Sequence, residues 1–239
     1  MSKLYIVGIG SGNVKTMTIR ALECIKSTRV VVGYHGYIEL IKDLLKDKIV
    51  ISSGMGQEVK RCRIAVEKVK EGYDTCIVSS GDAGLYGMAG LVLEIESCID
   101  FEVVPGVSAA FLAASCLGAP LMDDMCTVSL SDHLTPWEVV KKRLVAAAQG
   151  DFVIALYNPR SILRPDNLER AVQLLLSYRD ENTPVGIVKN AGREGESVII
   201  TTLGNIKYEV VDMMTTLIVG NSRTYIKDNT IITPRGYPI

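Results

Sequence analysis

The chain has almost no histidine, and its cysteines never form a CxxC pair. The two histidines, His35 and His133, stand 98 positions apart. They cannot build a His-rich metal centre, so no protein-bound metal is expected. The six cysteines, Cys24, Cys62, Cys76, Cys98, Cys116 and Cys126, are scattered and mostly lie in apolar runs. Reduced, buried thiols are therefore expected rather than metal ligands or disulfides. An excess of charge of one sign is also missing, since 26 basic and 27 acidic residues leave a formal net charge of −1. That balance gives no basic footprint for a nucleic acid and no polybasic patch for an anionic membrane. The opening residues, MSKLYIVGIGSG, enter a strand and a glycine loop without the apolar core of a signal peptide, which predicts a cytoplasmic location. The one long uncharged stretch, residues 103–122, is punctuated by Pro105-Gly106 and by Gly118-Ala119-Pro120. It leaves a short helix over 108–116, far below the ~20 residues a membrane span needs. A helix buried in a core or a subunit interface is the better expectation.

What is present is enough apolar residue for a real core, 48% of 239 residues. Strand-like runs at 4–7, 30–32, 49–51, 75–78 and 101–104 alternate with helical periodicity at 16–26, 37–46, 58–71 and 89–98. Such alternation predicts an α/β domain with a mostly parallel sheet over residues 1–119. Beyond it, strands at 127–130, 152–157, 184–188, 197–201 and 215–219 lie closer together, with helices at 136–149 and 167–178. They predict a second α/β domain, residues 120–239, with a mixed sheet. A cleft between the two domains is the expected ligand site.

Residues 75–91, TCIVSSGDAGLYGMAGL, are the richest in information. An apolar run empties into glycines at 81, 84, 87 and 90, a pattern that exposes main chain to a ligand. The segment has no lysine, which excludes a P-loop. An earlier loop, VGIGSG at residues 7–12, follows a strand and precedes a helix. Its spacing is GxGxG rather than GxGxxG, and VVVGYH at 30–35 lacks the acid that holds a ribose hydroxyl. Both departures argue against a dinucleotide-binding oxidoreductase. His35, between Tyr34 and Tyr37 at a predicted strand end, is an acid–base or axial-ligand candidate; a hydrogen-bonding surface histidine is the alternative.

With both loops and VVPGVSAA at 103–110 in view, the sequence resembles the tetrapyrrole methylase family over nearly its whole length. GYHGY at 33–37, YNPRS at 157–161, VGIVKNAGREGE at 185–196, TTL at 201–203, GNSRT at 220–224 and TPRGY at 233–237 resemble its carbon-17 branch. The central loop reads GDAG where most relatives read GDP, and Ser11 stands where proline is usual. The resemblance implies an S-adenosylmethionine-dependent methyltransferase of cobalamin biosynthesis that couples methylation to contraction of a macrocycle. It implies cofactor contacts at Gly10, Ser11, Gly81, Asp82, Gly84, Leu85, Ser108, Ala109, Tyr157, Ala191, Thr215 and Thr216, with Asp82 open to a second role in ordering its loop. It implies a carboxylate-rimmed tetrapyrrole met by Tyr34, Tyr86, Arg160, Arg164, Lys189, Arg193 and Arg235, although any one cation could equally be a solvated surface residue. A homodimer is expected as well. A methylase for another ring carbon, a diphthine synthase or a non-catalytic nucleotide-binding scaffold are the alternatives that the sequence leaves.

Overall fold

The five apolar runs of the first half pair as one parallel sheet. β1 (Leu4–Gly8), β2 (Val30–Tyr34), β3 (Ile49–Ser53), β4 (Thr75–Ser79) and β5 (Phe101–Val104) are ordered β3-β2-β4-β1-β5. The computed structural model describes residues 2–238 and separates two units, Met1–Ala109 and Ala110–Ile239.

In the first unit the side chains of each strand alternate between two helical layers. Leu4, Ile6, Val30, Val32 and Ile77 pack under α3 (Glu58–Lys70) and α4 (Ala89–Ile95). Val7, Val31, Cys76, Val78 and Val104 pack under α1 (Ile19–Ser27), α2 (His35–Leu40) and the turn after it. The helix expected from residue 16 begins only at Ile19, because the Thr18 hydroxyl accepts the Ala21 N–H at 3.2 Å and caps it. The helix expected over 37–46 is split. α2 gives way at Ile41, which is buried, to a 3₁₀ turn at Lys42–Leu44. α4 stops at Ile95, short of residue 98, where extended Glu96 pairs with Lys70 at 2.6 Å and accepts the Cys98 N–H at 3.1 Å.

The second unit contains α5 (Ala109–Leu117), β6 (Gly118–Ala119), β7 (Met125–Ser129), α6 (Trp137–Gln149), β8 (Val153–Tyr157), α7 (Asn167–Leu176), β9 (Pro184–Lys189), β10 (Ser197–Thr202), β11 (Thr215–Val219), β12 (Tyr225–Lys227) and β13 (Thr230–Ile232). Its main sheet runs β10-β9-β11-β8-β7, parallel only between β7 and β8. α6 and α7 cover one face with Leu144, Leu168 and Leu175. α5 covers the other through Ala110, Ala113 and Leu117. Gly186 on β9 makes that packing possible, since a Cβ there would stand 2.2 Å from the Leu117 side chain. The division falls earlier than the Gly118-Ala119-Pro120 turn expected to mark it. Gly118 and Ala119 are a strand paired with Ile231 and Ile232 of β13, so they belong inside the second unit. Among the described residues no helix is long and apolar enough to cross a membrane.

Candidate functional site

β4, β1 and β5 are adjacent and parallel, so the loops leaving their carboxyl ends lie side by side, the usual place for a ligand in such sheets. Gly10 and Gly81 join two of these loops by reciprocal main-chain bonds, N–H of Gly10 to O of Gly81 at 3.0 Å and N–H of Gly81 to O of Gly10 at 2.8 Å. Both glycines are left-handed, at φ +59° and +68°. Asp82 binds the third loop. One carboxylate oxygen accepts the N–H groups of Gly84 and Leu85 at 2.8 and 3.1 Å, and the other accepts the Gly106 N–H at 3.0 Å. Of its two expected roles, the loop-ordering one is therefore present in the structure. Thr18 latches the same turn by donating to the Pro105 carbonyl at 3.0 Å.

The backbones meet without space for side chains. A Cβ on Gly106 would stand 2.2 Å from the Gly81 carbonyl oxygen and 2.5 Å from that of Gly8. Gly84 is different. It is exposed, and its nearest neighbour would be an Asp82 oxygen at 3.3 Å, so packing does not require a glycine there. Ser11 is 1% exposed, with its hydroxyl 2.6 Å from that of Thr16. Ser108 is buried and Ala109 half-buried where the third loop ends. Tyr86 has left-handed backbone at φ +56°, with its side chain half exposed.

At the carboxyl end of β2 the ring of Tyr34 meets that of Tyr37 edge-on at 5.2 Å. His35 is exposed and is the first residue of α2 rather than the last of the strand. Beneath them is a residue that sequence reasoning passed over. Arg61 of α3 is 3% exposed, donates to Ser53 Oγ at 3.0 Å and the Gly54 carbonyl at 2.9 Å, and lies 5.9 Å from the Tyr34 ring centroid. These partners are a hydroxyl, a carbonyl and a ring, none of them a carboxylate. The signal was its spacing, since Arg61, Ala65 and Val69 fall on one buried helical stripe.

In the second unit the carboxyl ends of β7, β8 and β9 and the amino end of β11 form one edge. That edge carries Tyr157, Lys189 and the buried pair Thr215 and Thr216, followed closely by Ala191 and Arg193. The Tyr157 hydroxyl accepts the Ala110 N–H at 3.0 Å. Asn158, left-handed at φ +50°, turns the chain beyond it and donates to Ser129 Oγ at 2.9 Å. Lys189 pairs with Asp212 at 2.7 Å. Burial pushes the Asp212 pKa up, but the bonds from Lys189, Met214 and Thr215 outweigh it, so the net direction is down. Arg160 donates to the carbonyls of Pro165 and Tyr208 at 3.2 and 2.9 Å, and Arg164 donates to Ser131 Oγ at 2.8 Å.

Arg235 does not join this edge. It is exposed and donates to the Met122 carbonyl at 3.4 Å, on the side where β7 begins. The tail that carries it is led there by β13, which pairs with β6, a contact with no periodicity to reveal it. All six cysteines are free. No cluster of three or more His, Cys, Asp or Glu suited to a metal occurs among the described residues.

The profile of the Tetrapyrrole (Corrin/Porphyrin) Methylases matches residues 3–207. A protein of Salmonella typhimurium described as a probable cobalt-factor III C(17)-methyltransferase is 50% identical, over 99% of this chain and 100% of its own length. The cobalt-factor III methyltransferase of Priestia megaterium is 48% identical over 98% of this chain. The match spans only 45% of that longer relative. The crystal structure of the methyltransferase CobJ superposes with a TM-score of 0.93 at 30% identity, covering 98% of this chain and 100% of that one. Taken with the paired glycine loops and the parallel-then-mixed sheets, these likenesses place the chain in the tetrapyrrole (corrin/porphyrin) methylases.

Proposed function

We propose that the protein transfers a methyl group from S-adenosylmethionine to carbon 17 of a tetrapyrrole of the cobalt-factor III or precorrin-3B type, with contraction of the macrocycle, in cobalamin biosynthesis. The observation that carries this reading is the likeness to the Salmonella relative across the full length of both chains. The first unit's loops fit the cofactor. Residues 8–12, 80–87 and 105–108 contain no lysine or arginine, so nothing cationic opposes a sulfonium, and their close-packed glycines offer main-chain donors and acceptors. When bound, S-adenosylmethionine would supply an electrophilic methyl on a sulfonium sulfur, which becomes a neutral thioether as the methyl is transferred. The residues that would hold it are Gly10, Ser11, Gly81, Asp82, Gly84, Leu85, Ser108 and Ala109 in the first unit, and Tyr157, Ala191, Thr215 and Thr216 in the second. Such a transfer gains from alignment and exclusion of water more than from a strong acid or base.

The tetrapyrrole's carboxylates are the partners for Arg160, Arg164, Lys189 and Arg193, with Tyr34 and Tyr86 against the ring. Arginine suits that task through its planar fork. His35 is the acid–base candidate for contraction, being exposed at the carboxyl end of β2. We further expect a homodimer, since the uncharged stretch 103–122 leaves Val103, Phe111 and Met122 exposed. A cytoplasmic setting fits six free thiols. The test is incubation of the purified protein with methyl-labelled S-adenosylmethionine and either cobalt-factor III or metal-free precorrin-3B. A ring-contracted product one methyl heavier from one of them supports the reading. Absence of label in both products contradicts it.

A further inference from the structure

We infer that the tip of the β8–α7 loop, Ile162 and Leu163, together with Leu134 of the β7–α6 loop, is an apolar clamp for the flat face of the macrocycle. This rests on the tetrapyrrole reading above and names residues that reading does not use.

The three side chains are 98%, 91% and 90% exposed. The backbone that presents them is tied down. Ser161 and Arg164 bracket the tip with reciprocal main-chain bonds of 3.2 and 3.1 Å, making a two-residue turn. Such tips ordinarily take Gly, Asn, Asp or Pro, which suit the turn and lose nothing in water. Here they are Ile and Leu, whose branched chains favour burial. The loop is also braced from below. Arg160 holds the Pro165 and Tyr208 carbonyls, and Arg164 reaches Ser131 Oγ at 2.8 Å, linking the loop to the one that carries Leu134.

The position and the charge select the occupant. The loop leaves β8 directly after Tyr157, at the edge that also carries Lys189 and Thr215. A tetrapyrrole is a flat apolar ring rimmed with carboxylates. Three apolar side chains beside two guanidinium groups, Arg160 and Arg164, match such a disc in both respects. A polar ligand would leave those side chains in water.

The test is an equilibrium titration with cobalt-factor III, followed by visible absorbance, of the wild type, Leu134→Ser, the double variant Ile162→Ser/Leu163→Ser and the conservative double variant Ile162→Val/Leu163→Met. The serine double variant should weaken macrocycle binding about tenfold or more, with Leu134→Ser in the same direction. The conservative variant should stay within about twofold of wild type. Calorimetric affinity for S-adenosylmethionine and the melting temperature should not change, because the tip supports no core. Wild-type macrocycle affinity in the serine variants overturns the inference. So does a change confined to light scattering, from dimer to monomer, which would make the tip a contact between copies. Failure of the wild type to bind cobalt-factor III at all would count against the substrate reading itself. Binding by wild type and variants alike would count against the clamp alone.

Discussion

The Asp82 carboxylate accepts the Gly106 N–H at 3.0 Å, joining loops that leave β4 and β5, strands separated in the sheet by β1. Its other oxygen holds Gly84 and Leu85, so one side chain satisfies three main-chain donors. Hydrogen bonds to an ionised acceptor are the stronger kind, and removing the acceptor leaves its donors without their partner. Asp82→Ala is expected to cost about 2–4 kcal/mol of stability and to weaken S-adenosylmethionine binding at least about tenfold. Asp82→Asn, which keeps one acceptor, should lose less of both. Calorimetric melting and cofactor titration check this; an unaltered melt for the alanine variant would contradict it.

The glycines of the three loops separate into two classes that a substitution pair can distinguish. A Cβ at Gly106 meets backbone oxygens at 2.2 and 2.5 Å, which cannot swing aside. Gly106→Ala should therefore destabilise by about 1–3 kcal/mol or more, as overpacking does. At Gly84 the only close atom is a carboxylate oxygen at 3.3 Å, and the position is exposed. Gly84→Val should fold with a near-normal melting temperature yet lose cofactor binding, if main chain is what the ligand approaches there. Retention of micromolar binding by that folded variant would remove Gly84 from the site.

The parallel sheet was legible because it is buried on both faces. Its runs are short, apolar and β-branched, and they reappear as β1 to β5 within two residues at either end. The glycine loops were legible as loops, but which glycines are indispensable was not, since that depends on contacts between positions 8, 81 and 106. Arg61 was hidden for a different reason. In a helix with Lys60, Arg63 and Lys68 one more cation reads as solvated surface, and only the buried stripe it shares with Ala65 and Val69 separates it. That Arg235 lies on the side where β7 begins was not legible, because β6 and β13, two and three residues long, are too short to show a period.

The thiols should react in an order set by burial. Desolvation pushes Cys76 up to about 12 and Cys62 up to about 11. The thiolate is the nucleophile, so at pH 8 these two groups are almost wholly protonated as well as inaccessible. Cys98 is exposed. A disulfide reagent applied to the native protein should label Cys98 first, with Cys62 and Cys76 labelled only after unfolding. Peptide mapping after timed labelling reads the order, and rapid native labelling of Cys76 would contradict it.

His35 stands on the solvent side of the Tyr34 and Tyr37 pair, its ring 6.4 Å from that of Tyr34. Methyl transfer to an electron-rich ring carbon does not need a protein base, whereas contraction needs proton movement at a second centre. His35→Ala should keep substantial methyl transfer and slow contraction, leaving a methylated product with the uncontracted chromophore. Equal loss of both steps with normal binding, or contraction at full speed, would remove His35 from that role.

Tyr86 sits in a conformation that disfavours its own side chain. At φ +56° a residue with a Cβ carries a cost of roughly 1–2 kcal/mol, and for a bulky aromatic such a backbone is rare. The surrounding loop leaves it little alternative. On one side Asp82 fixes Gly84 and Leu85, and on the other a Cβ at Gly87 would lie 2.4 Å from the Ala83 oxygen. An asparagine or glycine would satisfy that backbone better, so the ring that occupies it half exposed is retained for what it contacts. Stability and substrate affinity should then move in opposite directions. Tyr86→Asn is expected to melt no lower than wild type and up to about 2–4 °C higher. The same variant should raise the Michaelis constant for the macrocycle several-fold at unchanged S-adenosylmethionine affinity, while Tyr86→Phe stays near wild type. If Tyr86→Asn melted several degrees lower and lost both ligands together, the ring would be a structural strut of the loop and its assignment to the substrate would fall.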